Sequence, residues 1–380
     1  MKRSFRNLRA GWWLMAPAMS ALSASWGCVG PQAPQSKGMT HDELAAFRTD
    51  AIKALEDAAF SDDPAGRMQA LEAFAEVAPR EGLALQAIPL NLENAYPGAS
   101  FAALMAAGEI GADYLIDIVR TRAEHADPNV RLAAIFALHK FGDRSRTGEI
   151  ANYLLSHPDA KVRANAALVL GRIGGKQQIK LLKTALRREQ KDLPRLQILE
   201  ALATLGDRYG TERLIFEGYS EIPQQSAIAL MMLANARAEA AEELFWFRMQ
   251  SAKWPEVQLQ AVRGLARRGH PQGRNHAVRS LFFNAPRTDI PNDPPEQQVR
   301  RVRGLAALAL EAVGDPGTLV YLRKAFDEPN QSRYVKIATA RAAVRIIDLC
   351  RPELADDAAP ILPKRRSPDP LVGDMGREEP

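Results

Sequence analysis

Cysteine is nearly absent from this chain, since its 380 residues include only Cys28 and Cys350. Two cysteines can form one disulfide at most, which excludes a fold held together by several disulfides. Cys350 lies in an apolar helical run, so it is predicted to be a small buried residue and not a reactive thiol. Aromatic residues are also scarce, at 7%. Because alanine and leucine dominate instead, the composition favours closely packed helices over a sheet-based core.

The chain also lacks an excess of either charge outside its N-terminus. The formal net charge is +5, but four of the 50 basic residues and no acidic residue lie at positions 1–27, which leaves 46 basic against 45 acidic residues. A broad nucleic-acid-binding role is therefore disfavoured, because such proteins need basic residues to neutralise phosphates. The basic runs also lack interleaved aromatic residues, on which single-stranded bases would stack.

Motifs for catalysis and for metal binding are missing as well. No two of the six histidines have the spacing of an HExxH zinc site, and no serine lies in a G-x-S-x-G turn. His270 and His276 are predicted to be solvated turn residues, with a metal-binding pair as the weaker alternative. Residues 171–176 contain glycines and a lysine, but they follow a helical pattern and lack the Ser/Thr of a phosphate-binding loop. We therefore expect a non-catalytic chain with neither metal nor cofactor.

The first 27 residues have the parts of a secretory signal. A positively charged start precedes a mostly apolar run at 10–22, which is too short to span a membrane. The positive residues are Lys2, Arg3, Arg6 and Arg9. Residues 1–27 are therefore predicted to be a signal peptide that directs export.

The end of this leader, Gly27-Cys28, resembles the lipid-attachment site of bacterial lipoproteins, which implies that Cys28 is lipidated. Leu22 and Trp26 depart from that pattern, and Ser25 with Gly27 would equally suit an ordinary signal peptidase. Residues 28–39, rich in Pro, Gly, Gln and Ser, are predicted to be a flexible tether. These features predict an exported protein that is lipid-anchored at the cell envelope and faces the periplasm.

A repeated pattern with a period in the low thirties covers most of the remaining chain. Residues 127–143 read DPNVRLAAIFALHKFGD, and residues 159–175 read DAKVRANAALVLGRIGG. The position of Arg131 returns as Arg67, Ser100, Arg163, Arg195, Pro223, Gln258, Arg303 and Lys336. A second helical pattern follows each copy, so each unit is two antiparallel helices whose apolar faces merge when units stack. The predicted fold class is all-α, a superhelix (solenoid) of about nine helix pairs over residues 40–350.

The two repeats at 127–142 and 159–174 share Asp, Val-Arg, Ala, Leu and a closing Gly at the same spacing. This pattern resembles HEAT repeats, and in particular the bacterial HEAT-like group named for phycobilin lyase subunits. The resemblance covers roughly residues 60–350. It is specific for the fold but not for the function. Because such repeats serve mostly as binding scaffolds, it implies a scaffold role without naming a partner.

Recurring polar residues mark the start of these helices. The aspartates are Asp127, Asp143, Asp159, Asp207 and Asp315. We expect them to cap helices and to form an Asp–Arg ladder with the recurring arginines, which would join adjacent repeats. The aromatic run Phe245-Trp246-Phe247 is predicted to be a core or inter-repeat contact, with one ring exposed.

Two stretches break the repeat. Residues 284–298 include four prolines, which exclude a regular helix across the whole stretch. They are predicted to form an insertion between two helices, either a binding edge or a tolerated surface loop. Residues 351–380, rich in Pro, Asp, Glu and Arg, are predicted to be a disordered C-terminal tail.

The charges of the repeat region are unevenly distributed. Residues 42–76 have an acidic excess, whereas residues 172–195 and 257–303 are basic. Such zones suit an acidic protein, an anionic lipid or a polyanionic polymer, although solvated helix faces are the simpler interpretation. Eight basic residues are predicted to contact a partner, namely Lys176, Lys180, Lys183, Arg187, Arg263, Arg267, Arg268 and Arg274.

The predicted function is that of a non-catalytic scaffold that binds a protein partner at the bacterial cell envelope. One alternative is a lyase-type or chaperone-like subunit that acts on another protein. A second alternative is a solenoid that binds a polyanion or nucleic acid.

Overall fold

The computed structural model describes residues 38–77, 82–286 and 293–356, and these residues form helices without a β-strand. Eighteen of the helices form nine antiparallel pairs, and a short nineteenth helix follows them. The first helices of the pairs are α1 (His41–Ala59), α3 (Gly82–Leu92), α5 (Ile116–Arg122), α7 (Ile150–Ser156), α9 (Gln177–Arg188), α11 (Arg208–Gly218), α13 (Glu242–Ser251), α15 (Arg274–Ser280) and α17 (Leu319–Phe326). The second helices are α2 (Pro64–Val77), α4 (Pro97–Ile110), α6 (Pro128–Lys140), α8 (Ala160–Ile173), α10 (Asp192–Thr204), α12 (Pro223–Asn235), α14 (Pro255–Ala266), α16 (Pro295–Val313) and α18 (Arg333–Cys350). The predicted all-α superhelix of nine helix pairs is confirmed.

The second helices of the pairs form the inner layer of the superhelix. Each packs against the second helix of the next pair, from α2 through to α18. They are buried on nearly every side, because alanine and glycine allow neighbouring helices to approach closely. A Cβ atom added to Gly171 in α8 would lie 3.0 Å from the Cα atom of Ala201 in α10. Small residues at this interface therefore allow α8 and α10 to pack closely.

The superhelix closes on itself. Helix α18 of the last pair packs against both α1 and α2 of the first pair. The rings of Phe47 in α1 and Phe326 in α17 meet edge to face, with centroids 5.6 Å apart. The nine pairs therefore form a ring, and the contact between its first and last pairs is called the seam below.

Ion pairs cross the seam along its length. Within the described residues, four pairs join the first pair of helices to the last: Arg48–Asp348, Asp50–Arg323, Asp63–Arg333 and Glu76–Arg341. Three acidic residues of the predicted zone at 42–76, namely Asp50, Asp63 and Glu76, thus have partners across the seam. Part of that zone joins the ring and does not face an outside ligand.

The recurring aspartates act as helix caps, as predicted. Asp127 accepts a hydrogen bond from the backbone N–H of Asn129, and Asp159 accepts one from that of Lys161. Each aspartate thus provides an acceptor for one of the backbone N–H groups that have no partner in the first turn of a helix.

The predicted Asp–Arg ladder is wrong for the recurring arginines. Arg131 donates to the carbonyls of His125 and Ala126 at 2.6 and 2.8 Å. Arg163 makes the equivalent bonds to His157 and Pro158. The guanidinium therefore folds back over the preceding loop, where carbonyls left free at the turn need a donor.

Several predicted segments lie partly or wholly outside the described residues. These include the signal peptide 1–27, Cys28 with most of the tether, residues 287–292 of the insertion and residues 357–380 of the tail. The insertion ends earlier than predicted, because α16 already begins at Pro295. Proline is suited to the first position of a helix, since the backbone N–H at that position makes no hydrogen bond within the helix. The tail is predicted to be disordered from 351, yet Pro352–Asp356 form helix α19, which packs on α18. None of the helices described is long and apolar enough to cross a bilayer.

Candidate functional site

The outer surface carries a group of exposed apolar side chains on two adjacent helix pairs. We call it the outer aromatic patch, and its members are Tyr209, Phe216, Tyr219, Ile222 and Phe247. Phe216 is 67% exposed, and the other four are between 45% and 49% exposed. Large aromatic side chains are enriched at protein interfaces, so a cluster of them on a surface marks a candidate contact region.

The direction of the patch follows from the spacing along α11. This helix buries Gly210, Leu214 and Gly218 against the ring. Tyr209 and Phe216 are seven residues apart, so they share the opposite face and point outward. The guanidinium of Arg213 lies over the Phe216 ring at 5.4 Å from its centroid.

The patch continues from α11 to α13. Tyr219 follows the last residue of α11, and Phe247 lies on α13. The centroids of their rings are 5.5 Å apart. In the run 245–247, Phe245 is fully buried, whereas Phe247 is exposed, as the sequence predicted for one of the three rings. Sequence reasoning missed the rest of the patch, although Tyr209 and Phe216 lie opposite Leu214 on a helical wheel.

The predicted partner-binding residues of the first basic zone lie on α9. Lys176, Lys180 and Arg187 are exposed, while Lys183 pairs with Asp207 at 2.6 Å. Asp207 is the N-cap residue of α11, so the basic row of α9 lies beside the helix that carries Tyr209 and Phe216. The structure therefore brings a basic row and the outer aromatic patch onto neighbouring helix pairs.

The predicted residues of the second basic zone are not brought together on the surface. Arg268 donates to the carbonyls of Gly264 and Ala238 and lies over the Phe245 ring. Arg274 pairs with Asp315 of the next helix pair. Arg263 and Arg267 face the centre of the ring, among groups of α2, α16 and α18. The interpretation of this zone as a solvated helix face therefore fails for these two residues.

The inner helices bring ionisable side chains together at the middle of the ring. We call them the central charged cluster, which consists of Glu72, Glu76, Glu109, Arg172, Glu200, Arg263, Arg267, Glu311 and Arg341. Arg172 of α8 reaches past α6 to bond Glu109 of α4 at 3.0 Å. Glu200 of α10 is an electrostatic neighbour of both Arg172 and Arg263. Side chains from distant repeats therefore converge at one place.

Ion pairs to Arg341 hold one part of the central charged cluster together, and they leave the buried Oε1 atom of Glu76 without a hydrogen-bond partner among the described residues. Arg341 donates to Glu311 at 2.7 and 3.0 Å and also bonds Glu76 across the seam. Burial alone would raise the pKa of Glu311, but the nearby Arg341 holds it below its ordinary value. Burial raises the pKa of Glu76, against the lowering effect of Arg341. Glu311 is therefore the carboxylate that most firmly balances Arg341.

Glu72 lies one helical turn before Glu76 and has a different environment. Burial raises its pKa well above the ordinary value, and the negative charge of Glu76 raises it further. Arg341 and Arg172 lower it by less. Burial and the carboxylate of Glu76 therefore act on the pKa of Glu72 in the same direction.

The two histidines considered for a metal are far from forming a site. His270 bonds Glu242 at 3.1 Å, and the partly buried His276 lies on α15 with its pKa lowered by burial and by Arg279. His276 is thus in a helix and not in the predicted turn. Across residues 38–77, 82–286 and 293–356, no three potential metal-ligating side chains cluster.

The family model for HEAT repeats matches residues 117–203, which extend from α5 to α10. This part of the ring therefore consists of HEAT repeats, in agreement with the resemblance noted from the sequence. No curated protein matches the chain significantly.

Solved structures with similar helical arrays include the complex of CpcE and CpcF of phycocyanin lyase from Nostoc sp. PCC7120. That match has 18% identity and a TM-score of 0.38, and it covers 74% of this chain and 98% of the other. Human deoxyhypusine hydroxylase in complex with glycerol matches at 16% identity with a TM-score of 0.33, over 80% of this chain and 97% of that one. Kap121p bound to Nup53p matches at 10% identity with a TM-score of 0.31, over 79% and 41%.

Proposed function

We propose that this protein is a non-catalytic ring of HEAT-like helix pairs that binds a protein partner at the bacterial cell envelope. The observation that carries the proposal is the outer aromatic patch. Its five large apolar side chains are exposed on one side of the ring, where burying them against a partner would remove apolar surface from water. Clusters of this composition supply most of the binding energy in many protein interfaces.

The basic row of α9 complements the patch. Lys176, Lys180 and Arg187 are exposed next to α11, so the partner's matching surface is acidic. Charges at the rim of an interface mainly raise the association rate, while the apolar centre limits dissociation. The remaining predicted contacts, Arg263, Arg267, Arg268 and Arg274, are not part of this surface.

The location at the cell envelope rests on the leader. Residues 1–27 have the composition of a signal peptide, and Cys28 stands where a lipoprotein carries its lipid. A single acyl modification holds a protein weakly, so stable anchoring requires the several chains of a lipoprotein N-terminus or a second contact. Replacement of Cys28 by Ala is expected to release the protein from membranes, and unchanged retention would exclude lipidation as the anchor.

The patch is tested by comparing three forms of the protein in capture from envelope extracts. The patch variant carries Phe216→Ser and Phe247→Ser, and the control variant carries Tyr114→Ser and Tyr321→Ser. Tyr114 and Tyr321 are similarly exposed, at 46% and 40%, but lie elsewhere on the ring. A partner should be recovered with the wild type and the control, and its affinity for the patch variant should fall by at least about tenfold. Equal recovery with all three forms would exclude the patch as the binding surface.

A further inference from the structure

Two arginines of the central charged cluster have no carboxylate partner. Arg263 and Arg267 lie four residues apart on α14 and so share one face of that helix. Arg263 is only 3% exposed, and its Nη2 atom is buried without a hydrogen-bond partner among the residues that the structure describes. Arg267 donates from Nη1 to the Asn235 side chain at 3.0 Å and to the Ala234 carbonyl at 3.3 Å, both of them neutral groups.

An unpaired guanidinium in this position is costly for the folded state. A buried charge normally has an opposite charge or several hydrogen-bonding partners, since it has lost its water. Arg341 shows the ordinary solution in the same cluster, because it bonds both Glu76 and Glu311. Arg263 lies among those same groups yet contacts neither carboxylate.

Arg263 and Arg267 share the middle of the ring with a third arginine and with two carboxylates that already have a partner. The ionisable neighbours that face these two arginines are Arg341, Glu76 and Glu311, with Tyr334 and Glu200 at the edge. Three arginines therefore stand against two carboxylates, Glu76 and Glu311, both of which already bond Arg341. Glu200 accepts hydrogen bonds from Gln197 and Asn235, and within the described residues neither Glu200 nor Glu72 forms an ion pair with Arg263 or Arg267.

A third polar group near Arg263 is also without partners. Gln260 lies one turn earlier on α14 and is 1% exposed, and neither its amide oxygen nor its amide nitrogen has a hydrogen-bond partner among the described residues. Tyr334 of α18 places its phenol near both Arg263 and Arg301. Both side chains are able to donate hydrogen bonds to an acceptor held by the arginines.

We propose that the centre of the ring binds one small oxyanion, a carboxylate or a phosphate, between the guanidinium groups of Arg263 and Arg267. Both a carboxylate and a phosphate accept two parallel hydrogen bonds from one guanidinium, through two of their oxygen atoms. Arg267, Glu76 and Glu311 retain partial contact with solvent, so a small ion is able to reach this layer. Close packing of the inner helices excludes a polymer and limits the ligand to a compact anion.

The experiment uses the purified full chain and measures binding of radiolabelled inorganic phosphate by equilibrium dialysis. Competition with unlabelled malonate forms the second arm, because it distinguishes a preference for carboxylates from one for phosphate. We expect saturation at about one anion per chain, with Gln260 and Tyr334 as additional donors. Thermal unfolding should shift upward at saturating anion, since a ligand of the folded state stabilises it.

The decisive variants are Arg263→Gln and Arg267→Gln, each made alone. Each should bind the anion at least about tenfold more weakly, the effect of losing a charge-assisted hydrogen bond. The matched control is Arg345→Gln, which neutralises an exposed arginine on α18 and should leave binding unchanged. Arg263→Gln removes an unpaired buried charge, so we expect it to fold, and Arg267→Gln provides an independent test.

The absence of saturable binding by either phosphate or malonate would overturn the proposal. Undiminished binding by both arginine variants would also overturn it. These measurements require no partner protein, so their outcome is independent of whether the outer aromatic patch binds one.

Discussion

The Arg163 side chain connects its own helix pair to the next one. It donates to two carbonyls of the loop before α8 and forms a bidentate pair with Glu189, at 2.7 and 3.0 Å, at the end of α9. Both partners of the pair are largely buried, with side chains 15% and 7% exposed. A planar guanidinium is suited to this task, since it holds several acceptors in fixed directions.

Replacement of Arg163 by Met should destabilise the fold by about 1–3 kcal/mol, because it leaves the Glu189 carboxylate and the loop carbonyls without their donor. The matched control is Arg208→Met. Its side chain is 90% exposed and pairs with Glu212, so the substitution should change stability much less than Arg163→Met does. Chemical denaturation of both variants measures the difference. Equal losses would show that the Arg163 contacts contribute nothing beyond a surface pair.

The same ion pair predicts a pH dependence. Burial alone would raise the pKa of Glu189, but hydrogen bonds from Arg163 and from backbone N–H groups lower it below its ordinary value. A lowered pKa in the folded state stabilises the fold above the unfolded pKa, and this contribution is lost as the pH falls through the folded value. The free energy of unfolding of the wild type should therefore fall at acidic pH more steeply than that of Arg163→Met. Parallel pH profiles would contradict this assignment.

Gly171 shows how closely the inner helices approach. Because any side chain there meets the backbone of Ala201 in α10, Gly171→Val should reduce the free energy of unfolding by about 1–3 kcal/mol. Gly148 has no atom within 4 Å of an added Cβ and an ordinary backbone conformation, so Gly148→Val serves as the control. Thermal unfolding compares the two. A similar melting temperature for both variants would mean that the α8–α10 contact is able to shift without cost.

At the scale of helices, α9 and α11 combine two kinds of surface. The exposed cations of α9 stand beside the aromatic face of α11, joined by the Lys183–Asp207 pair. Charges placed in this way act on a partner before contact is made, because Coulomb attraction extends over about a Debye length.

Reversal of Lys176, Lys180 and Arg187 to Glu should therefore slow association with the captured partner by about tenfold or more at low salt, with little change in dissociation. The difference should diminish as the salt concentration rises. Surface plasmon resonance at two salt concentrations measures it, with Lys53→Glu and Lys161→Glu as controls at exposed positions on other helix pairs. An unchanged association rate would mean that the basic row is only a solvated face.

The sequence was sufficient to predict the helices but not the direction of their charged side chains. The Asp caps and the nine repeat units were both predicted from residue types and spacing. Arg263 and Arg267 were assigned to a basic surface because counting charges along a segment does not distinguish its two faces. Their position became clear only once α2, α16 and α18 were placed around α14, which depends on contacts between residues far apart in sequence.

At the scale of the whole molecule, the seam decides the shape. It joins α1 and α2 to α17 and α18 through the Phe47–Phe326 contact and the ion pairs described above. No periodicity in the sequence indicates closure, since it depends on the small rotation between successive pairs summed over the array.

Phe47→Ala should open the seam. Phe136→Ala is a matched control, because both rings are fully buried but Phe136 lies in the middle of the array. Each substitution should lower stability by about 3–5 kcal/mol. Only Phe47→Ala should increase the radius of gyration in small-angle scattering and speed hydrogen exchange in α1 and α18. Identical scattering curves for the two variants would show that the seam does not hold the ring closed.

Closure also restricts how such a chain is able to evolve. An open array of repeats is free to lengthen by duplication or shorten by deletion, since each unit contacts only its neighbours and the two ends carry polar caps. Here the first and last pairs shield each other, so neither needs the polar outer face of a terminal cap. Adding or removing one unit would move α18 away from α1 and expose both. The number of repeats is therefore fixed by the geometry of the closed ring and not by any single residue.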